Sequence, residues 1–154
     1  MAINSIEGFK KGIGSQEGTY NSENYSGFSS GTHGKYQFAW GQWGSKIAEF
    51  TNNKITTPEQ FRNDPKAQEE FMDYATSKWT IPSAKRLIQK YEFKETPLSY
   101  VTGVVHYLGE PNADMYLGLV KKFNGDSKKA WENMPEKITK VNKFPDKYIL
   151  DAFN

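Results

Sequence analysis

Ile6-Glu7-Gly8-Phe9-Lys10-Lys11-Gly12-Ile13-Gly14-Ser15-Gln16-Glu17 runs into Gly18-Thr19-Tyr20-Asn21. After a Gly/Ser/Tyr-rich stretch comes Gly34-Lys35-Tyr36-Gln37-Phe38. Ile6, Phe9 and Ile13 stand at i, i+3 and i+7, the spacing of an apolar helical stripe. Glu17 lies four residues beyond Ile13, within roughly 40° of that stripe at about 100° per residue. A carboxylate on the inward side of a helix is costly unless it has work to do. Nine of the 13 glycines fall between Gly8 and Gly44, so residues 21–38 are expected to be short strands and tight turns.

Helical spacing resumes beyond that insertion. Trp43, Ile47 and Phe50 share a face. Thr57-Pro58-Glu59-Gln60 reads as a capping box with proline in the first turn, and Asp64-Pro65 starts another helix with Ala67, Phe71, Tyr74, Ala75 and Trp79 inward. Ser83 is a candidate cap for a helix burying Ala84, Leu87, Ile88 and Tyr91. Thr96-Pro97 opens the clearest core helix, with Val101, Val104, Val105 and Leu108 on one face and Gly109 and Pro111 at its end. Tyr116, Leu119, Val120 and Phe123 form the next stripe, and Asp126 caps a segment with Ala130 and Trp131. The Lys-rich tail from Pro135 to Asn154 reads as one or two short surface helices. The expectation is one mainly α (α+β) domain over residues 1–154, with a small β-hairpin insertion near the N-terminus.

Composition narrows the function. The net charge of +2, from 20 basic and 18 acidic residues, is too balanced for a dedicated nucleic-acid binder, though it allows approach to an anionic polymer such as a bacterial cell wall. The chain has no cysteine and two histidines, which argues against thiol nucleophiles, Cys-based zinc and His-rich metal sites. No metal or other cofactor is expected. No apolar run approaches membrane-spanning length, and the first eleven residues lack a signal-peptide core. No membrane insertion is expected. The reading is a monomer made in the cytoplasm without an ordinary export signal.

An acid at a core-facing helix end favours its neutral form, which can protonate a glycosidic oxygen as the sugar leaves. Glu17 is therefore the candidate general acid. Gln37 and the hydroxyls of Ser30, Thr32 and Tyr36 suit the fixing of sugar hydroxyl and N-acetyl groups or a water. Tyr20, Tyr36, Phe38 and Tyr107 are candidates for ring faces against sugars. Glu23 is the nearest candidate for a second acid or a water-positioning group. Tyr20 and Tyr25 have a structural alternative, plugging the hairpin against the helices. His33 is expected exposed in a turn, and the four tryptophans are expected in the core.

Three motifs then fall in a familiar order. Glu17-Gly18-Thr19-Tyr20-Asn21 resembles the glutamate motif of lytic transglycosylases and goose-type lysozymes, an acid, a small polar residue, an aromatic at +3 and often Asn. Gly34-Lys35-Tyr36-Gln37-Phe38 resembles their second motif, and Gln37 stands 20 positions after Glu17. Val104-Val105-His106-Tyr107-Leu108-Gly109 resembles the third, with His106 and Tyr107 where a Tyr-Asn pair precedes a glycine. The span from Thr57 to Trp79, with Phe61, Asp64-Pro65 and Gln68, looks like the phage-associated branch. The likeness covers about residues 3 to 123. Gly18 departs from the usual Ser, and the His106-Tyr107 pair bears on how a sugar is held.

This resemblance implies a lysozyme-like fold and cleavage of the MurNAc-β-1,4-GlcNAc bond of peptidoglycan by a single essential acid. His106 and Tyr107 join the expected substrate contacts. Attack by water, or by the sugar's own 6-hydroxyl to leave a 1,6-anhydro end, both stay open. The implied partners are glycan strands, with phage or secretion-system components as the route to the wall outside the cytoplasm. The competing expectation is a non-catalytic wall-binding or structural module of a phage tail or secretion apparatus. An amidase or peptidase is disfavoured, because neither a thiol nor a zinc set is present.

Overall fold

Helix α1 spans Ile6–Glu17 and stops on the acid, as its apolar spacing predicts. Gly14 provides clearance for the chain packed against it. A Cβ at Gly14 would stand 2.9 Å from Lys35 Cε and 3.3 Å from Tyr36 Cε1. The computed structural model describes residues 6–153, the side chain of Phe153 excepted. Readings that rest on residues 1–5, on Asn154 or on the Phe153 ring lie outside the described residues. The protein is mainly helical with one small antiparallel sheet. Its chain forms two compact units, residues 10–75 and residues 76–153 together with the start of α1.

In the first unit α1 gives way to three two-residue strands, β1 (Glu23–Asn24), β2 (Thr32–His33) and β3 (Phe38–Ala39). They pair in the order β1-β2-β3, with Glu23 opposite His33 and His33 opposite Phe38. Helices α2 (Trp40–Phe50), α3 (Pro58–Arg62) and α4 (Pro65–Ala75) follow. The capping box at α3 is complete. Thr57 Oγ1 accepts from Gln60 N at 3.2 Å, and Gln60 Oε1 accepts from Thr57 N at 3.1 Å. At α4, Asp64 Oδ1 accepts from Ala67 N at 3.0 Å.

The core gathers around Phe71, which is fully buried. Its ring meets Phe38 edge-on at 5.1 Å, Phe50 at 5.5 Å and Trp43 at 5.9 Å. Phe38 is thus a core side chain and not a sugar platform. On a two-residue strand, residue alternation is too short to tell inward from outward.

The second unit opens with a π-helical turn (Thr76–Thr80) leading into α5 (Ile81–Tyr91), a feature absent from the sequence reading. Ser83 therefore does not cap this helix. It lies inside the first turn, where its Oγ donates to Glu110 Oε2 at 3.0 Å and accepts from Arg86 Nη2 at 2.9 Å. Helix α6 (Leu98–Leu108) buries Val101, Val104, Val105 and Leu108 as expected. Helix α7 (Glu110–Lys122) buries Ala113, Tyr116 and Leu117, leaving Leu119 and Val120 half-buried. Asp126 caps α8 (Ser127–Glu132) through Lys129 N at 3.0 Å. The four tryptophans are all half-buried.

The tail holds two helices, α9 (Glu136–Thr139) and α10 (Pro145–Phe153), but α10 is more than surface covering. Ile149 is fully buried against Gly103, where a Cβ would come within 2.8 Å of Ile149 Cδ1. Asp146, in the first turn of α10, accepts from the hydroxyls of Tyr100 and of Tyr116, the latter at 2.8 Å. Burial above all holds both phenols well above the ordinary tyrosine range, with the Asp146 charge adding to it. They remain protonated donors and fasten the tail to the core.

Candidate functional site

Lys10, Gly14 and Glu17 stand at i, i+4 and i+7, so they share one face of α1. Glu17 is the last helical residue and is half-buried. The last turn of the helix is closed by Gly18 N donating to Gly14 O at 3.3 Å. Along the same face, Gly14 lies against Lys35 and Tyr36 of the turn between β2 and β3.

Lys10 is 5% exposed, which is rare for a lysine and demands partners. Its Nζ stands 2.9 Å from Glu69 Oε1 and 3.0 Å from Asp73 Oδ1. Glu69 also accepts from the Tyr36 hydroxyl at 2.7 Å and from the Tyr20 hydroxyl at 2.8 Å. Lys35 Nζ, 3.8 Å from Glu69 Oε2, lies 5.1 Å from the Tyr20 ring centre. Burial alone would raise the Glu69 carboxyl, but hydrogen bonds from Lys10, Tyr36 and Tyr20 outweigh it and hold the group below its ordinary value. Burial likewise works against the Lys10 charge, and Glu69 and Asp73 overcome it, so its ammonium titrates above the usual lysine value. The bond to Glu69 first, and burial second, push the Tyr20 phenol up.

The sign of the pH effect follows from these directions. A depressed carboxyl contributes stability above its unfolded value, here 4.5, and loses it as pH falls through the folded value. A raised lysine contributes stability below 10.5 and loses it only as pH rises through the folded value. Replacing Glu69 with Gln should therefore cost about 3 kcal/mol at neutral pH, the low end for breaking a buried pair, because Lys10 keeps Asp73. Denaturant melts across pH should show the gap between variant and parent constant at neutral pH and shrinking below pH 4.5. A gap independent of pH on the acid side would contradict this assignment.

The turn carrying Lys35 and Tyr36 is held from beneath. Gln68, 1% exposed, accepts from Lys35 N at 2.8 Å and donates to the carbonyls of Phe61 at 2.8 Å and Tyr20 at 3.1 Å. Gly34 takes φ +86° above it, and a Cβ there would come within 2.5 Å of Gln68 Oε1. Gln37 closes the turn at φ 53°, a strained setting for a residue with a side chain. Its own amide stabilises that setting, with Nε2 donating to Gly34 O at 2.9 Å and Oε1 accepting from Thr32 Oγ1 at 2.5 Å.

The sequence-derived site residues thus divide. Glu17, Tyr20, Glu23, Ser30, Thr32, Tyr36, Gln37 and Phe38 belong to the first unit, and His106 and Tyr107 to the second. Tyr36 is 2% exposed with its hydroxyl on Glu69, so it offers no open ring face. Thr32 and Gln37 bond to each other. Ser30 is exposed. Glu23 is ion-paired to Arg62 Nη1 at 3.0 Å. His106 is half-buried on α6, edge-on to Phe9 at 6.3 Å. Tyr107 stacks on Tyr148 at 4.1 Å, and its hydroxyl accepts from Lys143 N at 2.6 Å.

His33, expected in the open, is fully buried. Its Nε2 donates to Ser30 O at 2.8 Å, and its Nδ1 accepts from Arg62 Nη1 at 2.7 Å. A guanidinium can only donate and a carbonyl can only accept, so these partners select the Nε2–H tautomer. The sequence reading missed Lys10, Arg62 and Glu69 altogether. For Lys10 a signal existed, its seven-residue spacing from Glu17. Glu69 sits one position off the buried row Gln68, Phe71, Met72 and Ala75, and nothing local distinguishes it.

Among the described residues no group of three or more His, Asp or Glu could hold a metal ion, and no helix is long and apolar enough to cross a membrane. No protein-family model, no curated protein and no solved structure matches this chain.

Proposed function

We propose that this protein is a lysozyme-like peptidoglycan glycosidase, a muramidase or lytic transglycosylase, that cuts the MurNAc-β-1,4-GlcNAc bond with Glu17 as general acid. The observation that carries this reading is the setting of Glu17. It is a half-buried carboxyl at the C-terminal end of α1, on the helix face that meets the Lys35–Tyr36 turn. A carboxyl at that position suits the delivery of a proton to a leaving oxygen.

Two carboxylates of the first unit are already engaged. Glu23 is committed to Arg62, and Glu69 to Lys10 and two phenols. A double displacement through a second carboxylate therefore has little support, and the attacking group is water or the sugar's 6-hydroxyl. Ser30 and Thr32 supply hydroxyls on the β2 side, and Tyr20 an amphipathic ring following the acid in the chain. Glycan strands are the partner on this reading. Delivery by a phage particle or secretion apparatus goes with the phage-associated likeness.

One observation favours a second reading, a non-catalytic wall-binding or structural module. Gln37, Tyr36 and Phe38 spend their side chains on the hairpin and the core, so the second motif can persist for architecture alone. Mass spectrometry of fragments released from purified sacculi separates the readings. Reducing muropeptide ends mean hydrolysis, anhydro ends mean transglycosylation, and sedimentation with the wall without any fragments means a binding module.

A further inference from the structure

The connection between β1 and β2, Asn24-Tyr25-Ser26-Gly27-Phe28-Ser29-Ser30-Gly31-Thr32, displays two aromatic rings to solvent. Tyr25 is 55% exposed and Phe28 49%. Exposed rings on a Gly/Ser loop would ordinarily be mobile, yet this loop is braced. Asn24 Oδ1 accepts from Ser26 N at 2.8 Å, and Gly31 N donates to Phe28 O at 3.0 Å. Buried His33 bonds Ser30 O and is itself gripped by Arg62, which also holds Glu23.

Tyr25 is fastened to the same group. Its ring meets His33 edge-on at 5.6 Å, and its hydroxyl donates to Glu23 Oε2 at 3.3 Å. Gly31, at φ +76°, makes room for it. A Cβ at that position would stand 2.7 Å from Tyr25 Cε1 and 2.9 Å from His33 Nε2. A solvent-facing ring is therefore set in place by a buried histidine, an arginine and a glycine.

We propose that Tyr25 is a pre-organised stacking platform for one N-acetylated pyranose of a glycan strand, with Phe28 and the Ser26 and Ser29 hydroxyls as its neighbours. The ligand's identity rests on the glycosidase reading above, while binding does not require catalysis. The chemistry of the loop selects the occupant. From Asn24 to Gly34 no exposed side chain carries a charge, which suits an uncharged ring better than a phosphate backbone or an acidic peptide. The C–H face of a pyranose packs on an aromatic face, and its hydroxyls bond to serines. Holding the ring in place beforehand removes most of the ordering cost of the complex.

The test is co-sedimentation with purified sacculi in a Glu17→Gln background, with and without soluble N-acetylglucosamine oligomers as competitor. Tyr25→Ala should weaken binding about tenfold, the factor set by losing one stacked ring. Tyr25→Phe should stay within about twofold, because the ring remains. Circular dichroism should show both variants folded, the site being on the surface. Equal binding by Tyr25→Ala overturns the proposal. So does equal loss in Tyr25→Phe, which would make the hydroxyl and not the ring the contact. Failure of the oligomers to compete also overturns it, by pointing to a protein or other wall component.

Fragment release by the Glu17 parent, measured in parallel, keeps the two readings apart. Release with no effect of Tyr25 sinks the platform alone. Tyr25-dependent binding without release sinks catalysis alone. No binding and no release sinks both.

Discussion

Glu17→Gln should lower fragment release from sacculi at least 100-fold, within the range that one positioned general acid contributes. The replacement keeps size and hydrogen-bonding capacity but has no proton to give at a leaving oxygen. Glu17 ends α1 and is half-buried, so the amide is accommodated and the melting temperature should stay close to that of the parent. Glu17→Asp should recover only part of the activity, because one methylene less withdraws the carboxyl from the linkage. Unchanged release by Glu17→Gln, with the fold intact, would remove the acid from the mechanism. Loss of release accompanied by unfolding would be read against the aspartate variant, whose shorter side chain keeps the same chemistry.

Gln68→Ala should produce the largest loss of stability, about 3–5 kcal/mol by denaturant unfolding. The side chain is buried, and four backbone groups depend on it: the N–H of Lys35 and the carbonyls of Tyr20, Phe61 and Arg62. Truncation strands those groups and opens a cavity beneath Gly34. Gln68→Glu should be at least as damaging, because it turns a carboxylate oxygen toward three carbonyls. The Lys35–Tyr36 turn rests on this amide, so fragment release should fall as well. A cost below about 1 kcal/mol, the usual net value of a single hydrogen bond, would mean that water replaces the amide and that the turn is held from elsewhere.

The parts of the fold that were legible are those with short-range causes. Thr57-Pro58-Glu59-Gln60 forms its capping box within four residues, and Asp64 and Asp126 reach N–H groups three positions on. The α6 stripe follows from a period of 3.6 and needs no knowledge of its neighbours. Ser83 misled because a capping residue type proves nothing about where a helix begins. The chain was already helical through the π turn, and Glu110 claimed the hydroxyl.

The place of Glu17 at the end of α1 was legible, and its surroundings less so. Glu17 was placed at a helix end from apolar spacing alone. Tyr36 and Phe38 were expected to face sugar, and the core took both. His33 was expected outside because turns are exposed, yet its burial is satisfied by Arg62, 29 positions along the chain. Tyr25 was read only as a plug between the hairpin and the helices, and Phe28 was not singled out. Their fixed, outward setting emerges only from the His33–Arg62–Glu23 brace.

What the sequence by itself determined is the run of helices, most of their ends, the position of the insertion and the acid at the close of α1. Apolar period, caps and glycine placement act over a few residues and carry that information wherever they occur. Only the tertiary structure decided which polar groups turn inward. Lys10, His33 and Gln68 are stable inside, with Glu69 half-buried beside Lys10, because distant segments bring them charges and carbonyls, as Gln68 does for Lys35 across 33 positions. Desolvating a polar group is unfavourable until its partner arrives, and no local pattern records that arrival.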